Sequence, residues 1–265
     1  MKRRSTPAPS PTNSSPVSAL NSETPAQVTP FPYEDYVRAR HALMTALRGP
    51  RFYATLIGAS GMGKTSLLRE LSASLEPHRQ SVIYLSSSRL SAIGVANFLA
   101  RTLHITPRRS YLETVDVVTE SIAAQTSHLL LWIDEADQVD CDLLQEMRML
   151  AESECAAEQL FSVVLSGLPA LIAKIDTPVL FPLKRRIRER WILSGLLKDE
   201  LDAFLVHRFG SAQAKRILAS GRDDLFERTQ ATPALIENVV RHALAKTEGN
   251  IDAESVRAVL DVTGL

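Results

Sequence analysis

Between Phe52 and Leu71 the chain reads FYATLIGASGMGKTSLLREL. An apolar run stops at a glycine-rich turn, and a lysine, a threonine and leucines at helical spacing follow. Gly58-Ala59-Ser60-Gly61-Met62-Gly63-Lys64-Thr65 satisfies G-x-x-x-x-G-K-[ST], with Ser66 next in line. The chemistry needs these residue types in this order. Glycines let backbone N–H groups turn inward around phosphate oxygens, and the helix that follows presents its positive end to them. Lys64 is then placed to reach the β- and γ-phosphates, and the Thr65 hydroxyl to ligate magnesium. A strand, this loop and a helix with Leu67, Leu68, Leu71 and Leu75 on one face predict nucleotide binding in an α/β fold.

A second stretch bears on what happens to the phosphate. LLLWIDEADQ, Leu129–Gln138, reads as a buried strand delivering Asp134 and Glu135 at its carboxyl end, where α/β sheets place their ligands. Asp134 can hold magnesium, directly or through water, and Glu135 is placed to polarise an attacking water. A solvated acidic loop is the bland alternative, but beside a phosphate-binding loop the pair favours hydrolysis.

The surrounding pattern alternates strand and helix. A helix is expected over Tyr36–Leu47, and strands over Phe52–Ile57, Val82–Leu85, Leu129–Ile133, Phe161–Ser166 and Arg190–Leu193. Val115, Val118 and Ile122 mark one further helix face, and Leu143, Leu144, Met147 and Leu150 another. The alternation implies a parallel five-stranded sheet covered on both faces. After about Ser194 only helical faces remain: Leu201, Phe204 and Leu205; then Leu235, Ile236, Val239, Val240 and Leu244; then Val256, Val259 and Leu260. The expected organisation is a disordered tail over 1–30, rich in Ser, Thr, Pro and Asn, an α/β nucleotide-binding domain over 31–194 and a small helical lid over 195–265.

Composition adds exclusions. Lys+Arg and Asp+Glu are both 30 in 265 residues, so no global field draws the chain to nucleic acid or a membrane. Two cysteines and six scattered histidines suit neither a disulfide framework nor a transition-metal site. No apolar run approaches the ~18 residues of a membrane helix, and no apolar stretch follows the basic start as in a signal peptide. A cytoplasmic protein without a membrane span is expected. One local patch stands out: FPLKRRIRERWIL, Phe181–Leu193, sets Lys184, Arg185, Arg186, Arg188 and Arg190 against Glu189 alone. It reads as an arginine reaching a neighbouring subunit's γ-phosphate, as a phosphate-backbone patch for DNA, or as a solvated helix face.

Taken together these stretches resemble an AAA+ ATPase, and within that class the ExeA/GspA-type ATPases of general secretion and their transposon-borne relatives of the MuB and TniB types. The similar text includes LIGASGMGKTSLLREL, LLLWIDEADQVDCDLLQEMRML, VVLSGLPALIAKI, PLKRRIRERWILSGLLKDELDAFLVHRF and IDAESVRAVL, and runs from about Phe31 to Val262. The resemblance implies ATP and Mg2+ as cofactors. It carries the loop roles onto Gly58, Gly63, Lys64 and Thr65, the acids onto Asp134 and Glu135, and the trans-acting arginine onto Arg186, with Arg185 second. Three departures stand out. Leu168 replaces the polar residue expected after the fourth strand's glycine, leaving Ser166 as the nearest polar substitute for a γ-phosphate contact. The lid motif Gly-x-Pro-Arg reads Ala231-Thr232-Pro233-Ala234, without its arginine, and Glu152 falls roughly where an asparagine is usual. These argue against fast turnover while leaving binding intact. Secretion members usually add a membrane span and a peptidoglycan-binding region, neither of which is seen in this sequence. The resemblance therefore implies an ATP-dependent switch that forms a homo-oligomer and acts with double-stranded DNA and a transposase. The alternatives are an ATPase with a protein partner in envelope or secretion assembly, or a slowly hydrolysing nucleotide-binding module.

Overall fold

The computed structural model describes residues 29–76, 78–86, 91–152 and 159–263. The expected tail, but for residues 29 and 30, lies outside these. Five strands alternate with helices: α1 (Glu34–Ala46), β1 (Tyr53–Gly58), α2 (Lys64–Ser74), β2 (Gln80–Leu85), α3 (Ala92–Thr102), α4 (Tyr111–Ala123), β3 (His128–Ile133), α5 (Cys141–Ala151), β4 (Ser162–Gly167), the short α6 (Ala170–Ile175) and α7 (Phe181–Lys184), then β5 (Ile187–Leu193). All strand pairs are parallel, in the order β2-β3-β4-β1-β5.

Period-two alternation distributes each central strand between two cores. In β3, Leu130 and Trp132 face one hydrophobic cluster, while Leu129, Leu131 and Ile133 face the other. The first cluster takes in Leu67, Leu68 and Leu71 of α2 and Leu43 of α1; the second takes in Val95 and Leu99 of α3, Val118 and Ile122 of α4, and Leu144 and Met147 of α5. The sheet is therefore covered on both faces, as the alternation of elements requires.

The expected strands all form, with β5 starting three residues earlier, at Ile187. Helix α3 is additional. Half of its buried face is alanine (Ala96 and Ala100 beside Val95 and Leu99), so no stripe of large residues advertises it. Beyond β5 the chain is helical: α8 (Leu201–Arg216), bent at Gly210 with φ 79°, then α9 (Ala219–Arg228), α10 (Pro233–Lys246) and α11 (Ala253–Thr263). Phe204, Leu205, Ile236 and Val240 of these helices belong to the same cluster as α1 and α2. The helical segment is thus seated over the α2 side of the sheet, above the loop that opens α2. Among the described residues no helix is long and apolar enough to cross a membrane.

Candidate nucleotide site

The loop after β1 owes its shape to its glycines. Gly61 and Gly63 take φ of 83° and 92°, a region that L side chains rarely occupy. A Cβ on Gly61 would lie 2.7 Å from the Ala234 Cβ, because the start of α10 packs directly on the loop. Gly63 precedes α2, whose first turn has neither a side-chain cap nor an acidic residue. Its N–H groups are left for an anion.

Lys64 folds back over the loop, donating from Nζ to the carbonyls of Gly58 at 2.7 Å and Ala59 at 2.9 Å. Burial lowers its pKa, against the opposing pull of Asp134 and Asp137. Across the cavity, Asp134 is buried and held on both carboxylate oxygens. Oδ1 accepts from the Ser166 hydroxyl at 2.6 Å and the Glu135 backbone N–H at 3.0 Å; Oδ2 accepts from the Tyr84 hydroxyl at 2.8 Å and from Thr65 Oγ1 at 3.3 Å. The Trp132 indole N–H donates to Ser166 Oγ at 2.8 Å, completing a buried relay from β3 through β4 to the carboxylate.

Ser166 therefore does not stand where the sequence reading puts it. Its hydroxyl is fully buried behind Asp134, satisfied by Trp132 and the carboxylate, and does not line the cavity. The departure at Leu168 also has a physical account. Asp137 Oδ1 accepts from the Leu168 backbone N–H at 3.0 Å, and a Cβ on Gly167 would come within 2.6 Å of that oxygen. Burial works to raise the Asp137 pKa, but hydrogen bonds from Leu168 and Gln138 and the nearby Lys174 outweigh it and hold the carboxyl low. Glu135 is exposed, with φ 52°, a left-handed conformation uncommon outside glycine.

Ser60–Ser66, Asp134 and Glu135 line one cavity of about 570 Å³. Gly58 and Ala59 lie behind it, their carbonyls on Lys64. Much of the rest of its wall comes from outside the two nucleotide motifs. Phe31, Tyr33 and Tyr36 supply an aromatic side, with the Tyr33 hydroxyl on the Met62 carbonyl at 2.6 Å and the Tyr36 hydroxyl on Glu70 at 2.9 Å. Such a side suits the flat face of a base. Phe204, Arg208, Pro233, Ala234 and Glu237 close it from the helical segment. Pro233 and Ala234 belong to the lid motif read from the sequence, whereas nothing in the local sequence marks Arg208 and Glu237.

The donor set fits a polyphosphate with magnesium. Among the described residues no group of three or more His, Cys, Asp or Glu side chains can hold a metal. A hydroxyl and a carboxylate meeting at 3.3 Å suit a small divalent cation that takes its remaining ligands from phosphate and water.

Arg185 and Arg186 lie elsewhere. They precede β5, whose Ile187 pairs with Tyr53 at the amino end of β1, whereas Leu193 pairs with Gly58 at the loop. Five residues of strand, about 17 Å, separate the two ends. Arg186 Nε is 3.1 Å from Glu152, which also pairs with Arg148 at 2.7 Å, and the Arg185 guanidinium stacks 5.8 Å over the Phe181 ring.

Residues 49–175 match the family model described as AAA domain. The chain is 25% identical over 197 residues to general secretion pathway protein A of Aeromonas hydrophila, covering 71% of this chain and 36% of that protein. It thus spans about a third of the length of this curated relative. Similar solved structures include the ADP form of the ORC2 protein of Aeropyrum pernix (TM-score 0.59, 14% identity, covering 91% of this chain and 70% of that one). They also include Cdc6p of Pyrobaculum aerophilum (0.59, 19%, 93% and 70%) and RuvB of Thermotoga maritima (0.54, 17%, 85% and 68%). These likenesses concern the fold, and the segment that matches the family model contains both the phosphate-binding loop and the acidic pair. The chain has the α/β fold of these solved structures, and within it residues 49–175 match the AAA domain.

Proposed function

We propose that the chain binds ATP in the cavity at the carboxyl ends of β1 and β3 and uses its hydrolysis to switch self-association around a protein partner. The observation that carries this reading is the convergence of Lys64, Thr65, Asp134 and Glu135 on one cavity beside an uncapped helix start. Lys64 exchanges its two carbonyl partners for β- and γ-phosphate oxygens. Thr65 and, directly or through water, Asp134 would hold magnesium, which would supply charge neutralisation at the phosphates. Glu135 takes a proton from water as the water oxygen bonds to the γ-phosphorus; the bond to the bridging oxygen breaks and ADP leaves with that electron pair. Tyr84 and Ser166 keep the Asp134 carboxylate in one orientation.

Arg186, with Arg185 beside it, stabilises the transferring phosphoryl group of a neighbouring copy, since neither lines the cavity of its own chain. The reaction is then complete only in an assembly. The secretion relative favours a protein partner in envelope or secretion assembly. A second reading, regulation of DNA transposition with duplex DNA and a transposase, draws on the exposure of Arg185, Arg188 and Arg190, cations of the kind that pair with backbone phosphates.

The deciding experiment measures ATP hydrolysis and particle size by negative-stain imaging, with and without duplex DNA. ATP-dependent assembly and hydrolysis indifferent to DNA are expected. Stimulation by DNA would move the assignment to the second reading, and a monomer that hydrolyses nothing would remove both.

A further inference from the structure

The wall of the cavity contributed by the helical segment holds a charge that no expected role uses. Arg208, on α8, lines the cavity opposite the loop and pairs with Glu237 of α10 at 2.9 Å through Nη2. Its Nε and Nη1 are buried without a hydrogen-bond partner. A guanidinium has five N–H donors and is always charged, so leaving three of them, one on Nε and two on Nη1, buried and unmatched is costly. An anion in the cavity removes that cost. Position 234, the start of α10, offers only an alanine, already packed against Gly61.

Glu237 is built to let go. Its other oxygen is 2.6 Å from Arg241, so the carboxylate keeps a cation when Arg208 turns toward a ligand. Arg208 also stands two residues before the bend at Gly210, where α8 leaves helical geometry.

We infer that Arg208 is a nucleotide-binding residue of the lid. Its guanidinium turns from Glu237 to take a phosphate oxygen of the bound nucleotide, and Glu237 is the internal acceptor that holds it when no phosphate is present. The inference rests on the nucleotide reading of the cavity. It places the lid's phosphate contact on α8 rather than at the start of α10, and makes the position of α8 depend on whether phosphate is bound.

The test is a set of titrations with ATP and with adenosine, which has the base but no phosphate, on the full chain. Arg208→Ala is expected to weaken ATP binding about tenfold to a hundredfold, the loss expected for a charge-assisted contact, with adenosine affinity unchanged. Glu237→Gln, which removes the competing acceptor, is expected to tighten ATP about two- to fivefold. Equal ATP affinity in Arg208→Ala and the unaltered chain overturns the inference. So does a parallel loss of adenosine, or weaker ATP binding by Glu237→Gln, since each would make the pair merely structural. Lys64→Ala is titrated alongside. Its losing ATP while Arg208→Ala keeps it leaves the cavity reading standing and removes Arg208 alone. An unaltered chain that binds no ATP removes both.

Discussion

Asp134 and Arg186 belong to opposite ends of one sheet, and their surroundings differ in kind. Asp134 is 7% exposed and accepts four hydrogen bonds from groups on β2, β4, α2 and its own strand end. The Arg186 side chain is 59% exposed and held by one ion pair. An ion pair whose arginine stays in solvent contributes little and is screened by salt, whereas a buried, fully satisfied carboxylate is locked in place. The carboxyl end of the sheet is thus prepared within one copy. The amino end of β5 has to be desolvated by something else before its charge counts, and a second copy's cavity is the partner proposed here.

Lys64→Ala breaks the prepared end outright. ATP binding is expected to fall below detection in titration while the circular-dichroism spectrum stays native, because Nζ contacts only two loop carbonyls. Retained affinity in a folded variant would falsify the assignment of the loop.

Arg186→Ala probes the other end. If the arginine acts on a neighbour, hydrolysis falls by about 10³–10⁵ with ATP affinity unchanged. Mixing with Lys64→Ala protein then restores part of the activity, at interfaces that join an intact loop to an intact arginine. Absence of rescue at every ratio, with mixed assemblies present, would return the cluster to a solvated face. Glu135→Gln is expected to slow hydrolysis about 10²–10⁴-fold with ATP retained, and its trapped state is the one in which assembly is most easily imaged. Hydrolysis at the normal rate would take the general base away from Glu135.

The contrast between the ends also explains what the amino-acid sequence discloses. The loop, the five strands and the acidic pair are legible because each is local: glycines at fixed offsets, short β-branched and leucine runs, and two acids where such a run stops. Residues whose part depends on distant elements meeting are not. Ser166 reads as a ligand contact from its place near the end of β4, yet the relay from Trp132 on the adjacent strand turns it inward. Tyr84, Arg208 and Glu237 carry no motif, and only the packing of β2 beside β3 and of α8 beside α10 brings them to the site. The arginines before β5 are legible as a cluster, but the identity of what they face depends on another molecule.

The smallest expected effect sharpens the comparison most, because it removes one hydroxyl and nothing else. Tyr84→Phe leaves the ring on β2 and takes the shorter of two donors from Asp134 Oδ2, leaving Thr65 at 3.3 Å, while Ser166 and the Glu135 N–H still hold Oδ1. Loss of a group that orients a metal-binding carboxylate costs on the order of 10–100-fold, and with one oxygen still anchored the lower figure applies. The magnesium concentration for half-maximal hydrolysis is therefore expected to rise about tenfold, with rescue of Arg186→Ala protein in mixed assemblies unaffected. Stability should fall by about 1.5 kcal/mol, the value of a hydrogen bond to a charged acceptor. Burial, and then the bond to Asp134, raise the Tyr84 pKa above its ordinary value. The folded pKa exceeds the unfolded one, so this contribution is whole below about pH 10 and is lost only as pH rises through the folded value. The stability gap between the two proteins should accordingly stay constant from pH 7 to about 10 and close above it. A gap that closes at lower pH, or an unchanged magnesium requirement, would mean that the carboxylate is oriented by the β4 relay alone.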